Sequence, residues 1–166
     1  MVIKGIARKG ARTKELVKHL QPNEIAVISH EDIDELAAQA LVAAKVKGVI
    51  NTRASISGKY PHRGPGVLID SGIIVLDQVG QDFFDRVLDG MEIEIRGKHI
   101  YSGRSLLGKG EVLDKKIINE KIQQAEANYG LQLERFIQNT LEYAAKELDL
   151  VEKQLAVPEL NINFQG

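Results

Sequence analysis

Up to Gly90, short apolar runs alternate with segments whose apolar side chains recur at helical spacing, and a single helical pattern fills the last third of the chain. Residues 1–7 predict an opening strand that Gly5 weakens. Residues 12–20 predict a short helix stopped by Pro22, which lacks the amide a continuing helix needs. Residues 24–28 make a buried strand, and Ser29 with Asp32 has capping-box spacing, so a helix is expected to open there. From Asp32 to Lys45, Ile33, Leu36, Ala37, Ala40, Leu41 and Ala44 offer one face to a sheet. Residues 47–51 read as the next strand, and this order predicts a right-handed parallel crossover.

A polar, glycine-rich segment over 51–66 comes next, followed by a short helix over 67–71 ending at Gly72 and a third apolar strand over 73–77. A further short helix over 82–88 has Gly90 as its stop. The period then falls to two. Met91, Ile93 and Ile95 alternate with Glu92, Glu94 and Arg96, Gly97 supplies a turn, and His99, Ile100 and Tyr101 return as an antiparallel hairpin. Glycines at 103, 108 and 110 predict a loop before a last short strand over 111–113.

From Asp114 to Val157 a stripe including Ile118, Ile122, Ala125, Tyr129, Leu133, Ile137, Leu141, Leu148 and Val151 is interrupted only by Gly130, predicting one very long helix or two meeting there. A helix of roughly 40 residues is about 60 Å long, more than a domain of this size covers. Part of the helix therefore projects as a connector, or packs against a copy of itself or a further segment of a longer chain. It does not keep strict heptads across Gly130, so a regular coiled coil is one route among several. Pro158 ends the pattern, and residues 158–166 read as the start of a linker to a further domain.

These elements imply an α/β fold: a small β/β/α domain over 1–113 with an added antiparallel hairpin, followed by a long C-terminal helix over 114–157. At 166 residues the chain can bury one substantial core. Its 22 basic and 23 acidic side chains give a net charge of -1, so no global field draws nucleic acid or an anionic membrane, and any anion site has to be local. The lack of cysteine excludes disulfides and thiolate zinc sites and fits a reducing compartment. Four dispersed histidines imply no metal site. No apolar run approaches the roughly 20 residues needed to span a bilayer, so this part of the chain reads as soluble.

The local candidate is residues 51–66. Arg53, Lys59 and Arg63 supply charge, Ser55, Ser57, Tyr60 and His62 supply hydrogen-bonding groups, and Gly58, Gly64 and Gly66 allow turns or close approach. If Gly64-Pro65-Gly66 opens the short helix, its free amides and the neighbouring cations favour phosphate, a nucleotide or an acidic side chain. The competing reading is that the cations are solvated and the glycines serve only the turns. The Gly-Lys-Ser/Thr ending of a P-loop is absent, as is a dinucleotide fingerprint. Spacing alone does not make a nucleophile and base of Ser55 or Ser57 with His62, so no catalytic residue and no cofactor is assigned.

Arg12 to Lys18, Asn23 to Asp34 and Ser55 to Pro61 resemble the N-terminal region of bacterial SteA-like proteins, and the similarity extends through Asp77, Gln78, Val79 and Gly80 into the hairpin. That resemblance implies a protein more than twice this length, with a thiamin pyrophosphokinase-related domain beyond residue 166 and often a C-terminal membrane anchor. It also implies a place on the cytoplasmic face at the cytokinetic ring in cell division. A fainter resemblance runs to the swivelling phosphohistidine domain of phosphoenolpyruvate-utilising enzymes: Val49, Ile50 and Asn51 lead to Gly58 and His62, and Asp70 to Ile74 follow. Tyr60-Pro61 replaces that family's small hydroxyl pair, Arg63-Gly64 replaces small helical residues, and Gly72 comes one residue late. The implied fold is a swivelling-like β/β/α domain.

The function expected is a noncatalytic domain of a cell-division-associated SteA-like protein that binds a ligand or partner through residues 51–66 and self-associates through the long helix. The alternatives are a phosphoryl carrier using His62 and a regulatory domain of a thiamin pyrophosphokinase-like nucleotide-binding enzyme. The expected partners are a second copy, the further C-terminal domain and a cell-division protein, with no nucleic acid.

Overall fold

The structure, a computed structural model, describes residues 2–156. The expected linker over 158–166 lies outside the described residues. Two compact units divide the chain, one ending at Glu126 and the other starting at Ala127. The fold is mixed α/β, with a multi-stranded sheet, several short helices and a long C-terminal helix.

Four parallel strands form the centre of the sheet: β1 (Val2–Lys9), β2 (Ile25–Ile28), β3 (Gly48–Asn51) and β4 (Ile74–Asp77). They are linked by α1 (Thr13–Leu16), α2 (Glu35–Ala43) and α3 (Gly64–Asp70). Because each strand is added beside the last, right-handed crossovers put all three helices on one face. After β4, α4 (Gln81–Arg86) leads to β5 (Glu92–Arg96), which pairs antiparallel with β1, and β6 (His99–Ser102) and β7 (Ser105–Lys109) follow as a meander. The last strand, β8 (Glu111–Val112), pairs with β4, so the order is β7-β6-β5-β1-β2-β3-β4-β8.

That order forces the sheet to close. In a flat sheet, seven gaps of about 4.8 Å would hold the two end strands roughly 34 Å apart. Yet only Gly110 separates β7 from β8, and two residues of chain reach at most about 7 Å. The sheet is rolled into a barrel whose seam is one strand crossing at Gly110, where the Gly110 amide bonds the Lys98 carbonyl at 2.9 Å. A Cβ at Gly110 would collide with the carbonyl oxygen of Asp77 and with Val79, so the crossing requires glycine.

Alternation along the strands sorts the apolar residues into two cores. Ala7, Ile25, Val27, Ile50, Leu76, Ile93, Ile95 and Ile100 fill the barrel together with Phe83 and Val87 from the α4 segment. That segment runs from the carboxyl end of β4 to the start of β5 beside the carboxyl end of β1, so it plugs that mouth. The opposite faces of the parallel strands, at Ala26, Ile28, Val49 and Val75, pack beneath Leu16, Ala38, Leu41 and Leu68 of the outer helices.

Helix α5 (Lys115–Ala156) is one helix that continues through Gly130. Its opening turns belong to the first unit and add a fourth helix to the outer layer, burying Ile118, Ile122 and Ala125. Lys115 pairs with Asp70 at 2.8 Å and Arg63 with Glu126 at 3.3 Å, fastening these turns beside α3. No helix among the described residues is long and apolar enough to cross a membrane.

Three local expectations are corrected. The capping box at Ser29 and Asp32 does not form, and α2 starts at Glu35, capped by Asp34, whose Oδ1 accepts the Ala37 amide at 2.8 Å. Ser29 instead accepts a hydrogen bond from Thr52, and Asp32 from Ser57. Second, α3 opens at Gly64 rather than at residue 67. Third, the segment read as a glycine loop contains β7, because Gly108 lies where a side chain would press on Phe83 and Gly110 lies at the seam.

Candidate functional site

Every parallel strand ends on the same edge of the sheet, the edge where α/β folds place ligands. Here most of that edge is sealed by its own backbone. The loop after β3 bonds the loop after β2 through Thr52 N to Ile28 O, Asp32 N to Ala54 O and Ile33 N to Ser55 O. It bonds the loop after β4 through Gln78 N to Arg53 O, Val79 N to Asn51 O and Gly80 N to Thr52 O.

A buried polar chain runs beneath these loops. Asn51 Oδ1 accepts the His30 amide at 3.0 Å, and its Nδ2 donates to the His30 carbonyl and to Ser55 Oγ at 2.7 and 2.8 Å. Ser55 Oγ donates to Asp77 Oδ1 at 2.6 Å, and the Ser55 amide reaches the same carboxylate at 2.9 Å. Asp77 is 1% exposed. Burial pushes its carboxyl up to about 6, against the opposing pull of the two Ser55 hydrogen bonds; Glu111 adds to the rise and Lys121 subtracts from it. No cation pairs with Asp77 among the described residues, so this carboxyl braces the β3 loop.

The candidate residues of 53–66 lie around this brace, and most of their donors are taken up within the chain. Ser57 donates through its amide and Oγ to Asp32, at 2.8 and 2.9 Å. Arg53 pairs with Glu31 at 3.1 Å and Arg63 with Glu126 at 3.3 Å. These are exposed pairs that contribute little to stability but occupy the guanidinium groups. Gly58, at φ 87, turns the chain against Gln124 of α5, and the Lys59 amide donates to Ser57 Oγ at 3.1 Å. Tyr60 is 50% exposed and meets His62 edge-on, with ring centroids 5.9 Å apart. Among the described residues no carboxylate bonds or orients the His62 ring.

Gly64 is buried, and a Cβ there would strike the backbone carbonyls of Ile33 and Asp34, so the start of α3 is pressed under the start of α2. Gly66 has open space around its Cα. Ser55 and Asp77 are thus brought together, as are Ser57 and Asp32, while the three cations are not assembled around a common point by any contact among the described residues. Nor do three His, Asp or Glu side chains there group as a metal site.

The open part of the edge lies between α1 and α2, where sequence reasoning placed no site. His30 stands there just after β2 and ahead of α2, and Thr13 Oγ1 holds its Nδ1 at 2.8 Å. Beside them is a cleft of about 300 Å³. No local signal marks it, since its walls come from segments brought together only by the β1–α1–β2 crossover.

The second unit presents a different surface. From Tyr129 to Val151, ten large apolar side chains of α5 are 46–66% exposed.

No protein-family model and no curated protein matches the chain. Among solved structures it is similar to the 3-isopropylmalate dehydratase LeuD of Methanocaldococcus jannaschii, at 17% identity and a TM-score of 0.42, over 84% of this chain and 99% of that one. A likeness at that level bears on neither substrate nor chemistry.

Proposed function

We propose that this chain is a noncatalytic scaffold, a rigid closed-sheet body that self-associates with further copies through the second part of α5. The observation that carries the reading is the exposed apolar arc of that helix. Ile137, Leu141, Ala144, Leu148 and Val151 follow alternating steps of four and three, and Tyr129, Phe136, Tyr143 and Leu150 recur every seventh residue beside them. With about 100° per residue, the two rows and Leu133 between them cover an arc of roughly 180°. That is wider than the single seam of a two-stranded coil and suits a helix with two neighbours, so a bundle of three or more copies is favoured.

The magnitudes agree. Burying the exposed half of each of these side chains is worth about 1 kcal/mol, or about 10 kcal/mol per helix. Each association step costs roughly 4–15 kcal/mol in lost freedom, so three buried helices offset two such steps. The polar positions from 127 to 153 carry both signs, with Arg135, Lys146 and Lys153 against Glu134, Glu142, Glu147, Asp149 and Glu152. A mixed surface accepts its own copy, whereas a single-sign surface would require a different, oppositely charged partner. The resemblance of residues 12–18, 23–34, 55–61 and 77–80 to SteA-like proteins suggests the setting of the proposal, an assembly at the division site.

Light scattering on the Leu141→Glu/Leu148→Glu variant tests it: the double change should give monomers, while Lys146→Gln, on the polar side, should leave the oligomer intact. An assembly that survives both glutamates would defeat the proposal.

A further inference from the structure

We infer that copies of α5 join in parallel and in register, each laying its row of Tyr129, Phe136, Tyr143 and Leu150 on the Gly130, Ile137, Ala144 and Val151 row of the next. The inference rests on self-association through α5 and assigns the orientation of the partner. Both rows repeat every seventh residue, and at each level they differ by one position, which is about 1.5 Å along the axis and about 100° around it. One helix therefore meets two neighbours, one through each row. A contact between two different faces with no shift along the axis closes into a ring instead of growing into a filament. The arrangement also accounts for Gly130. Glycine is unfavourable inside a helix, yet Gly130 stands within α5 with open space at its Cα among the described residues, so its own chain does not require it. In register, Gly130 lies level with Tyr129 of the neighbouring copy and Ala144 with Tyr143. The two smallest residues of one row thus receive the two tyrosines of the other.

Charge sets the direction. Arg135 and Lys153 flank the aromatic row on its outer side, and Glu134 and Glu152 flank the aliphatic row on the other. Parallel copies bring these two flanks together, Arg135 one position from level with Glu134 and Lys153 one from Glu152. Among the described residues Arg135, Glu134 and Glu152 make no ion pair within the chain, and Lys153 has one exposed contact, with Asp149 at 3.2 Å. Lys146 meets only Ala145 in this register, in keeping with an oligomer that survives Lys146→Gln. Antiparallel copies centred on the same stretch would set each row against itself and Arg135 beside Lys146 of the partner, twice in every such contact, which opposes association. Glu147 lies between the two rows and approaches its own copies in the parallel arrangement. That is one repelling side chain per chain, offset by ten apolar ones.

The chain has no cysteine, so disulfide trapping in the full chain reads the pairing directly. Leu150→Cys/Val151→Cys puts one thiol on each row at one level, and two residues adjacent in a chain, about 3.8 Å apart at Cα, are too close to bridge each other without strain. Mild oxidation should link this variant into a ladder of covalent multimers reaching the mass found by sedimentation. Tyr129→Cys/Leu150→Cys, which an antiparallel pair would link, should give no links. Gly130→Leu favours the helix but fills the place of the neighbour's Tyr129, and should weaken association about tenfold. Three results would each overturn the orientation while leaving self-association standing: links in the Tyr129→Cys/Leu150→Cys variant, no links in the Leu150→Cys/Val151→Cys variant while it sediments as an assembly, or a Gly130→Leu chain that assembles as tightly as the unaltered one. An unaltered chain that stays monomeric would overturn both.

Discussion

Replacing Asp77 with asparagine changes how stability depends on pH, and the structure gives both sign and size. The folded carboxyl sits at about 6 against an ordinary 3.8, with burial as the main cause. Between about pH 4 and pH 6 the folded chain therefore holds a proton that the unfolded chain has released. The stabilising contribution is complete below pH 4 and is lost as the pH rises through 6. A gap of about two pH units corresponds to about 3 kcal/mol. Asparagine cannot ionise, yet it keeps an acceptor for the Ser55 hydroxyl and amide. Other titrating groups are common to both proteins and cancel in the comparison. Urea unfolding of both at one chain concentration, from pH 4 to 7.5, should show the asparagine variant gaining about 3 kcal/mol relative to the unaltered chain across that range. A difference that stays constant within about 0.5 kcal/mol would mean that Asp77 ionises as it does in water, and the buried brace would be wrong.

Gly110→Ala should cost at least about 1–3 kcal/mol by overpacking the barrel seam, whereas Gly66→Ala, with open space at its Cα, should be neutral or stabilising by up to about 1 kcal/mol; thermal melts of the pair decide it. Phe83→Ala removes the plug of the barrel mouth and should cost about 3–5 kcal/mol in chemical unfolding. Helices draw most of their stability from packing an apolar face, and that of residues 129–151 is exposed in the single chain, so ellipticity at 222 nm should fall on dilution, and a helical signal independent of concentration would speak against assembly.

Where local pattern and packing agree, the sequence already carries the fold. The apolar runs at 25–28, 48–51 and 74–77 are strands, and the alternation from Met91 to Arg96 gives the hairpin of β5 and β6. The α5 stripe left one helix or two open at Gly130, and the chain forms one, since a single glycine costs only about 1 kcal/mol in a helix. What could not be read depends on distant partners. Ser29 resembles a cap until Thr52 takes its hydroxyl, and Gly103, Gly108 and Gly110 resemble a loop until Phe83 and the Asp77 carbonyl explain two of them. The segment from Arg53 to Gly66 has the composition of an anion site, yet Glu31 and Asp32, Asp77, and Glu126 come from three other places to occupy its donors. The cleft at His30 depends on Thr13, seventeen residues away, and leaves no motif.

Self-association through α5 is tested most directly by sedimentation equilibrium of the unaltered chain over a range of concentrations. Three or more chains should be held together in the micromolar range, with dissociation on dilution as mass action requires. A single monomeric mass persisting to about 100 µM would contradict the account.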